Sequence, residues 1–193
     1  MTPSYKVALY NLNDDTELGH KLHEVLLKEG IPKVIIDTCD LNQKVGYIAG
    51  LDGYIREDND YTGESIDSPF MIMCNLPEAV LDSFLDAMMA AKVRINYKAV
   101  VTSNNKDYTV KRLIGDISKE HELMQSWMRL DKLVKKANSL PLAMYSKRRG
   151  WQDLQNVVKM AQVVLNRDSV TKDQLNQINL LLESKYNIVT NNK

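Results

Sequence analysis

Seven side chains in the middle of the chain could act together on a small anion: Lys98, Thr102, Asn104, Asn105, Tyr108, Glu120 and His121. The first five lie where the apolar run Ala99-Val100-Val101 gives way to Thr102-Ser103-Asn104-Asn105-Lys106-Asp107-Tyr108, just before a helical pattern begins. A strand that runs into a helix start leaves backbone N–H groups unpaired and turns the positive end of the helix dipole toward an anion. Open α/β sheets place ligands at such junctions. Lys98 or Lys106 would add charge, and Glu120-His121-Glu122 would set an imidazole between two carboxylates, suited to a general acid or base. The competing reading carries more weight: Asn104 and Asn105 satisfy the turn, and Asp107 or Thr109 caps the helix. Asn11 and Asn75, each near a strand end, carry the same two readings.

Other clusters are less specific. His20 and His23 stand three apart with Glu17 and Glu24 nearby, but no third ligand is identifiable, so a solvated surface outweighs a metal pair. Lys147-Arg148-Arg149, with Lys135 and Lys136 upstream, reads as a solvated connector rather than a nucleic-acid patch, because no aromatic stacking motif accompanies it. The chain contains no Gly-rich phosphate loop, G-x-S-x-G elbow or paired-cysteine metal motif. No catalytic residue is therefore assigned, no metal is expected, and the cofactor is unknown.

The elements that would position these residues follow from periodicity. Tyr5 to Leu12 is apolar and β-prone, and Asn13-Asp14-Asp15-Thr16 supplies turn and cap chemistry. Leu18, Leu22, Val25 and Leu26 recur at helical spacing until Gly30, and Val34-Ile35-Ile36 forms a second strand. The order returns with the strand Phe70 to Leu76, the helix Pro77 to Lys92 and the strand Lys98 to Val101. Asn11-Leu12 matches Asn75-Leu76, Leu22 matches Leu85 and Ile35-Ile36 matches Val100-Val101, each at an offset near 64 by subtraction of residue numbers. The reading is a duplicated βαβ unit: an α+β fold with a ferredoxin-like four-stranded sheet and helices on one face, a doubly wound parallel sheet being the alternative. Residues 38–69 are too many for a tight hairpin; Asp40 to Gly50 suits a short helix and the remainder an exposed acidic loop.

From Thr109 a stripe of period near 3.6 extends through Leu113, Ile117, Met124, Trp127 and Val134, giving one helix of about 30 residues or two broken near Gln125. Trp151 to Leu165 and Leu175 to Val189 supply two further apolar helix faces, the second started by a Thr171/Gln174 capping box. With the end of the long helix these predict an antiparallel three-helix bundle. The domains are accordingly 1–124 and 125–193.

The chain has 193 residues, 44% of them apolar, with 25 basic and 25 acidic side chains. That profile suits a packed globular protein, and the balanced charge supplies no net field toward nucleic acid or an anionic membrane. Met1-Thr2-Pro3-Ser4 shows no secretory leader, no run approaches the ~20 apolar residues of a membrane span, and Cys39 and Cys74 read as buried thiols. A cytoplasmic protein without membrane or nucleic-acid partners is expected.

Lys98-Ala99-Val100-Val101-Thr102, Asn105, Tyr108, Leu113 and Glu120-His121-Glu122 together resemble a bacterial domain-of-unknown-function family, number 3783. Tyr10-Asn11-Leu12 and Val45-Gly46-Tyr47-Ile48-Ala49-Gly50 are similar to the N-terminal part of its longer members, so the resemblance covers about residues 1–124. The family usually shows Trp at the position of Tyr108. Residues about 130–189 resemble a FIVAR-type three-helix module through Tyr145-Ser146, Trp151-x-x-Leu154, Ala161-x-x-Val164-Leu165, Thr171 and Leu182, which implies a spacer or interaction unit. The expected function is a noncatalytic binding or regulatory module whose C-terminal helices dock a protein partner. The alternative is an enzyme acting on a small anionic substrate at the junction, with Lys98, Asn105 and Tyr108 binding and His121 as acid or base.

Overall fold

The computed structural model describes residues 5–191; Met1-Thr2-Pro3-Ser4, read above for a leader, lies outside them. The chain divides into two compact units, Met1–Ser118 and Lys119–Lys193, so the unit boundary falls a few residues before the predicted one. It is a mixed α+β protein with a four-stranded sheet and seven α-helices among the described residues.

The first unit begins with strand β1 (Lys6–Tyr10), helix α1 (Glu17–Lys28) and strand β2 (Lys33–Ile35). Thr16 caps α1 by accepting from the Gly19 N–H at 3.0 Å, the role its place after Asn13-Asp14-Asp15 predicts. A second β–α–β run follows as β3 (Phe70–Cys74), α3 (Glu78–Ala90) and β4 (Tyr97–Val100). Between the runs lie a 3-10 turn (Thr38–Asn42) and the short helix α2 (Val45–Ala49), which ends on Gly50 in the left-handed region.

The strand order is β2-β1-β3-β4. β1 pairs parallel with β2, β3 parallel with β4, and β1 antiparallel with β3. This corrects the ferredoxin-like expectation, in which each helix returns the chain past a gap filled by another strand. Here each crossover helix lays its second strand directly beside its first, and the long connection over residues 36–69 carries β3 to the far side of β1. The expectation of helices on one face is also corrected. β1 and β3 are apolar on both faces, which requires cover on both. Val7, Leu9, Met71 and Met73 pack under α1 and α3 through Leu22, Leu26, Phe84 and Met88. Ala8, Tyr10, Phe70 and Ile72 pack on the other face against Leu41, Val45, Ile48 and the first turns of the long helix α4 (Val110–Asn138), at Val110, Leu113 and Ile114.

Residues near 64 apart carry matching backbone roles. Ala8 pairs with Ile72 in the centre of the antiparallel ladder. Asn11 and Asn75 both adopt positive φ, 51° and 54°. α1 and α3 end alike: the Ile31 N–H donates to the Leu26 carbonyl and the Val93 N–H to the Met88 carbonyl, each at 2.9 Å, the bond that closes a helix over a left-handed residue. That residue is Gly30 in one case and Lys92, with φ 56°, in the other.

The long helix α4 begins in the first unit and is continuous past Gln125; the second unit holds the rest of it and the one-turn α5 (Leu142–Tyr145), α6 (Trp151–Leu165) and α7 (Lys172–Asn191). Leu130 and Val134 of α4, Leu154, Val158 and Ala161 of α6, and Leu175 and Leu182 of α7 share one core. The Thr171/Gln174 capping box is present, with both reciprocal bonds, at 3.0 and 3.2 Å. No helix among the described residues is long and apolar enough to cross a membrane.

Because a side chain with a Cβ in the left-handed region costs about 1 kcal/mol that glycine avoids, Lys92→Gly is expected to stabilise the first unit by about 1 kcal/mol. Chemical denaturation checks it; an unchanged or lowered midpoint would show that the Lys92 backbone carries no strain.

Candidate functional site

The strand-to-helix junction is a closed polar turn. Asn105 folds back over the end of β4: its Oδ1 accepts from the Thr102 N–H at 2.8 Å and its Nδ2 donates to the Val100 carbonyl at 2.9 Å. The Thr102 carbonyl in turn accepts from the N–H groups of Asn105 and Lys106, and the Asn105 carbonyl from the N–H of Tyr108. Short polar side chains bond their own backbone in this way wherever a chain must reverse. Thr109, rather than Asp107, caps α4, accepting from the Arg112 N–H at 3.2 Å.

The helix start is engaged by a second segment. Residues 43–46 lie against 106–110: Val110 N–H donates to the Gln43 carbonyl, Val45 N–H to the Tyr108 carbonyl and Gly46 N–H to the Lys106 carbonyl, at 2.8 to 3.0 Å. The expectation of unpaired N–H groups awaiting an anion is thereby corrected at Val110 and Arg112, which already donate within the protein. Gly46 also leaves room for the Tyr54 ring, 2.5 Å from where a Cβ would stand. Tyr54 then donates its hydroxyl to Asp107 at 2.5 Å. That bond and the carboxylate's charge push the Tyr54 hydroxyl above its ordinary pKa.

Gln43, which no sequence signal singled out, anchors this arrangement. It is fully buried, donates from Nε2 to the Glu57 carbonyl at 2.9 Å and accepts at Oε1 from the Glu57 N–H at 2.8 Å. A side-chain amide here replaces a strand neighbour for the segment 51–69. Arg56 adds ion pairs to Asp40 and Asp60 at 2.5 and 2.6 Å, Tyr61 N–H donates to the Cys39 carbonyl, and Ile66 is held by the Tyr10 hydroxyl and by Asn11 Nδ2. The segment expected to be an exposed acidic loop is thus fastened across the sheet, with Leu51, Tyr61 and Ile66 packed on the core. Asn11 belongs to that fastening.

The remaining candidates have the following surroundings. Lys98 is exposed on β4 and donates to the Ile95 carbonyl at 3.0 Å, and Asn104 and Thr102 are exposed. Tyr108 is half-buried under the Arg112 guanidinium, 3.6 Å from its ring centre. Glu120 and His121 belong to the second unit, where His121 Nε2 meets Gln125 Nε2 at 2.6 Å. Glu122, the other flanking carboxylate, turns instead to Lys172 at 2.7 Å. The Lys172 ammonium holds that carboxyl below its usual range, so its contribution to stability is present above the unfolded carboxylate pKa and is lost as pH falls through the lowered one.

The two histidines of α1 differ. His20 is exposed and bonds Asp14 at 2.9 Å, but His23 is only 9% exposed and neither ring nitrogen has a hydrogen-bond partner. The solvated-surface reading is corrected for His23, which is buried, with Nδ1 3.5 Å from the Asp14 carboxylate. Among the described residues no three His, Cys, Asp or Glu side chains are grouped to hold a metal ion. Arg148, within the basic connector, caps the end of α7 by donating to the Val189 carbonyl at 3.1 Å and stacks on Tyr145.

Residues 69–124 match the family model of a domain of unknown function, DUF3783. The match begins at β3 and ends within α4, and all seven candidate residues fall inside it. No curated protein and no solved structure matches the chain. The matched span covers the second β–α–β run, the turn that follows it and the part of α4 up to residue 124.

Two substitutions separate positioning from ligand contact. Gln43→Ala removes both amide bonds and leaves the Glu57 groups to compete for water, at an expected cost of about 2–3 kcal/mol; Asn105→Ala is expected to cost about 1–2 kcal/mol. Urea melts check both, and costs below about 0.5 kcal/mol at each position would contradict the positioning roles.

Proposed function

We propose that the chain is a noncatalytic binding or regulatory module, in which the sheet unit is a rigidly stapled scaffold and the helical unit docks a protein partner. The observation that carries this reading is the spending of the junction's polar groups on the fold. Asn105 satisfies the turn, and Gln43 and Thr109 take up N–H groups at the start of α4. Preorganised catalytic groups converge on a space for substrate; these converge on backbone. Lys98 gives one of the three donors of its ammonium to the Ile95 carbonyl.

The helical unit carries exposed apolar side chains suited to a protein surface: Met124 and Met128 one turn apart on α4, Met160 and Val163 on α6, and Leu180 on α7. Methionine adapts to varied contours, which favours contact with a partner. A FIVAR-type antiparallel three-helix module over residues 125–193, a duplicated βαβ domain over 1–124 and a cytoplasmic setting complete the proposal, with a small anionic ligand at the sheet unit as the second ligand class and no nucleic-acid partner expected from the balanced charge.

The full chain, used as bait in lysate, is expected to retain a specific protein that Met124→Asp/Met128→Asp fails to retain, without loss of folded stability. A metabolite and nucleotide thermal-shift series runs beside it. Recovery of no specific protein, together with an anion that raises the melting midpoint and is turned over in a manner lost on Lys98→Ala, would overturn the reading in favour of an enzyme.

A further inference from the structure

Asn179 occupies an inward position on α7 where its neighbours along the seam are apolar. Leu175, Asn179, Leu182, Tyr186 and Val189 follow alternating spacings of four and three, and α4 presents Leu123, Trp127, Leu130, Val134 and Ala137 with the same spacing. This is the repeat by which packed helices interdigitate. α7 runs parallel to α4, since Glu122 meets Lys172, Ser126 meets Asn176 and Arg129 meets Glu183 in ascending order.

The apolar repeat also matches after α7 slides by one heptad, at the loss of its end layers, so the hydrophobic pattern does not by itself single out one register. Asn179 does distinguish. It is 2% exposed, and its Nδ2 donates to the Ser126 carbonyl at 2.9 Å. Its Oδ1, closed to solvent, has no hydrogen-bond partner. Any slide would strip the amide of its one bond and bury the whole group against apolar side chains, a far worse state than the half-satisfied one observed. The Glu122–Lys172 and Arg129–Glu183 pairs mark the same register but are roughly half exposed on both sides, where ion pairs contribute little.

We infer that Asn179 fixes the register of α7 on α4, holding the helical unit in one arrangement at a cost in stability. A single buried amide in a heptad seam has this effect in coiled coils. The same residue also opposes any pairing of α7 with a second copy of the chain that does not return its amide to a Ser126 carbonyl.

Asn179→Leu, close in size, tests this in the full chain. Its thermal midpoint is expected to rise by about 3–8 °C, while the amide spectrum gains a second set of helical-unit resonances or the size distribution gains a species absent from the parent. Asn179→Val makes the same test should leucine fail to fold. The parent in about 1 M salt, which screens the two ion pairs, is expected to keep a single set of resonances. A single set of resonances with the parent's size distribution in the substituted protein, or a midpoint lowered in both variants, overturns the inference.

Discussion

The antiparallel pairing of β1 with β3 is the joint on which the first unit depends. Each β–α–β run by itself offers two parallel strands and one helix, with an apolar sheet face left bare. Pairing β1 and β3 from Lys6↔Cys74 to Tyr10↔Phe70 merges the two runs into one sheet. It also brings α1 and α3 together over one face, where Ser83 Oγ donates to Glu29 at 2.7 Å. The opposite face then forms a single apolar surface, wide enough for α2, the 51–69 segment and the start of α4 to cover.

That cover explains the fate of the polar residues. Irregular backbone laid on an apolar surface must find partners without water, and here it finds them in side chains: Gln43 for Glu57, Tyr10 and Asn11 for Ile66, Asn105 for Thr102 and Val100. Polar residues at strand ends in an α/β protein invite a functional reading, yet most of these are committed to holding loops. The proposed role as a scaffold follows from this commitment.

Local signals in the sequence located the elements well. The helical spacings, Thr16, the Thr171/Gln174 box and the offset near 64 each correspond to a feature of the structure, because capping and amphipathicity act within a few residues. The sheet order was not legible, since two βαβ runs joined by a long connection satisfy the same periodicities in several topologies. Nor was the fastening of residues 51–69, whose six acidic residues and two glycines read as a loose exposed loop until Gln43, Arg56 and Tyr61 are seen to hold it to the sheet. The turn at Asn105 was legible in its bland form. His23 was misplaced because its spacing from His20 suggested a shared polar face, whereas it is buried beside Leu22 and Leu26 and His20 is exposed.

Native-state hydrogen exchange tests the joint most directly, since protection rises with the cooperative unit that must open to expose an amide. The bonded amides of β1 and β3 are predicted to be the slowest of the first unit and to exchange only with its complete unfolding, while those of the edge strands β2 and β4 exchange faster. Protection of β1 and β3 no greater than that of the edge strands, or opening of one β–α–β run while the other stays closed, would contradict the account.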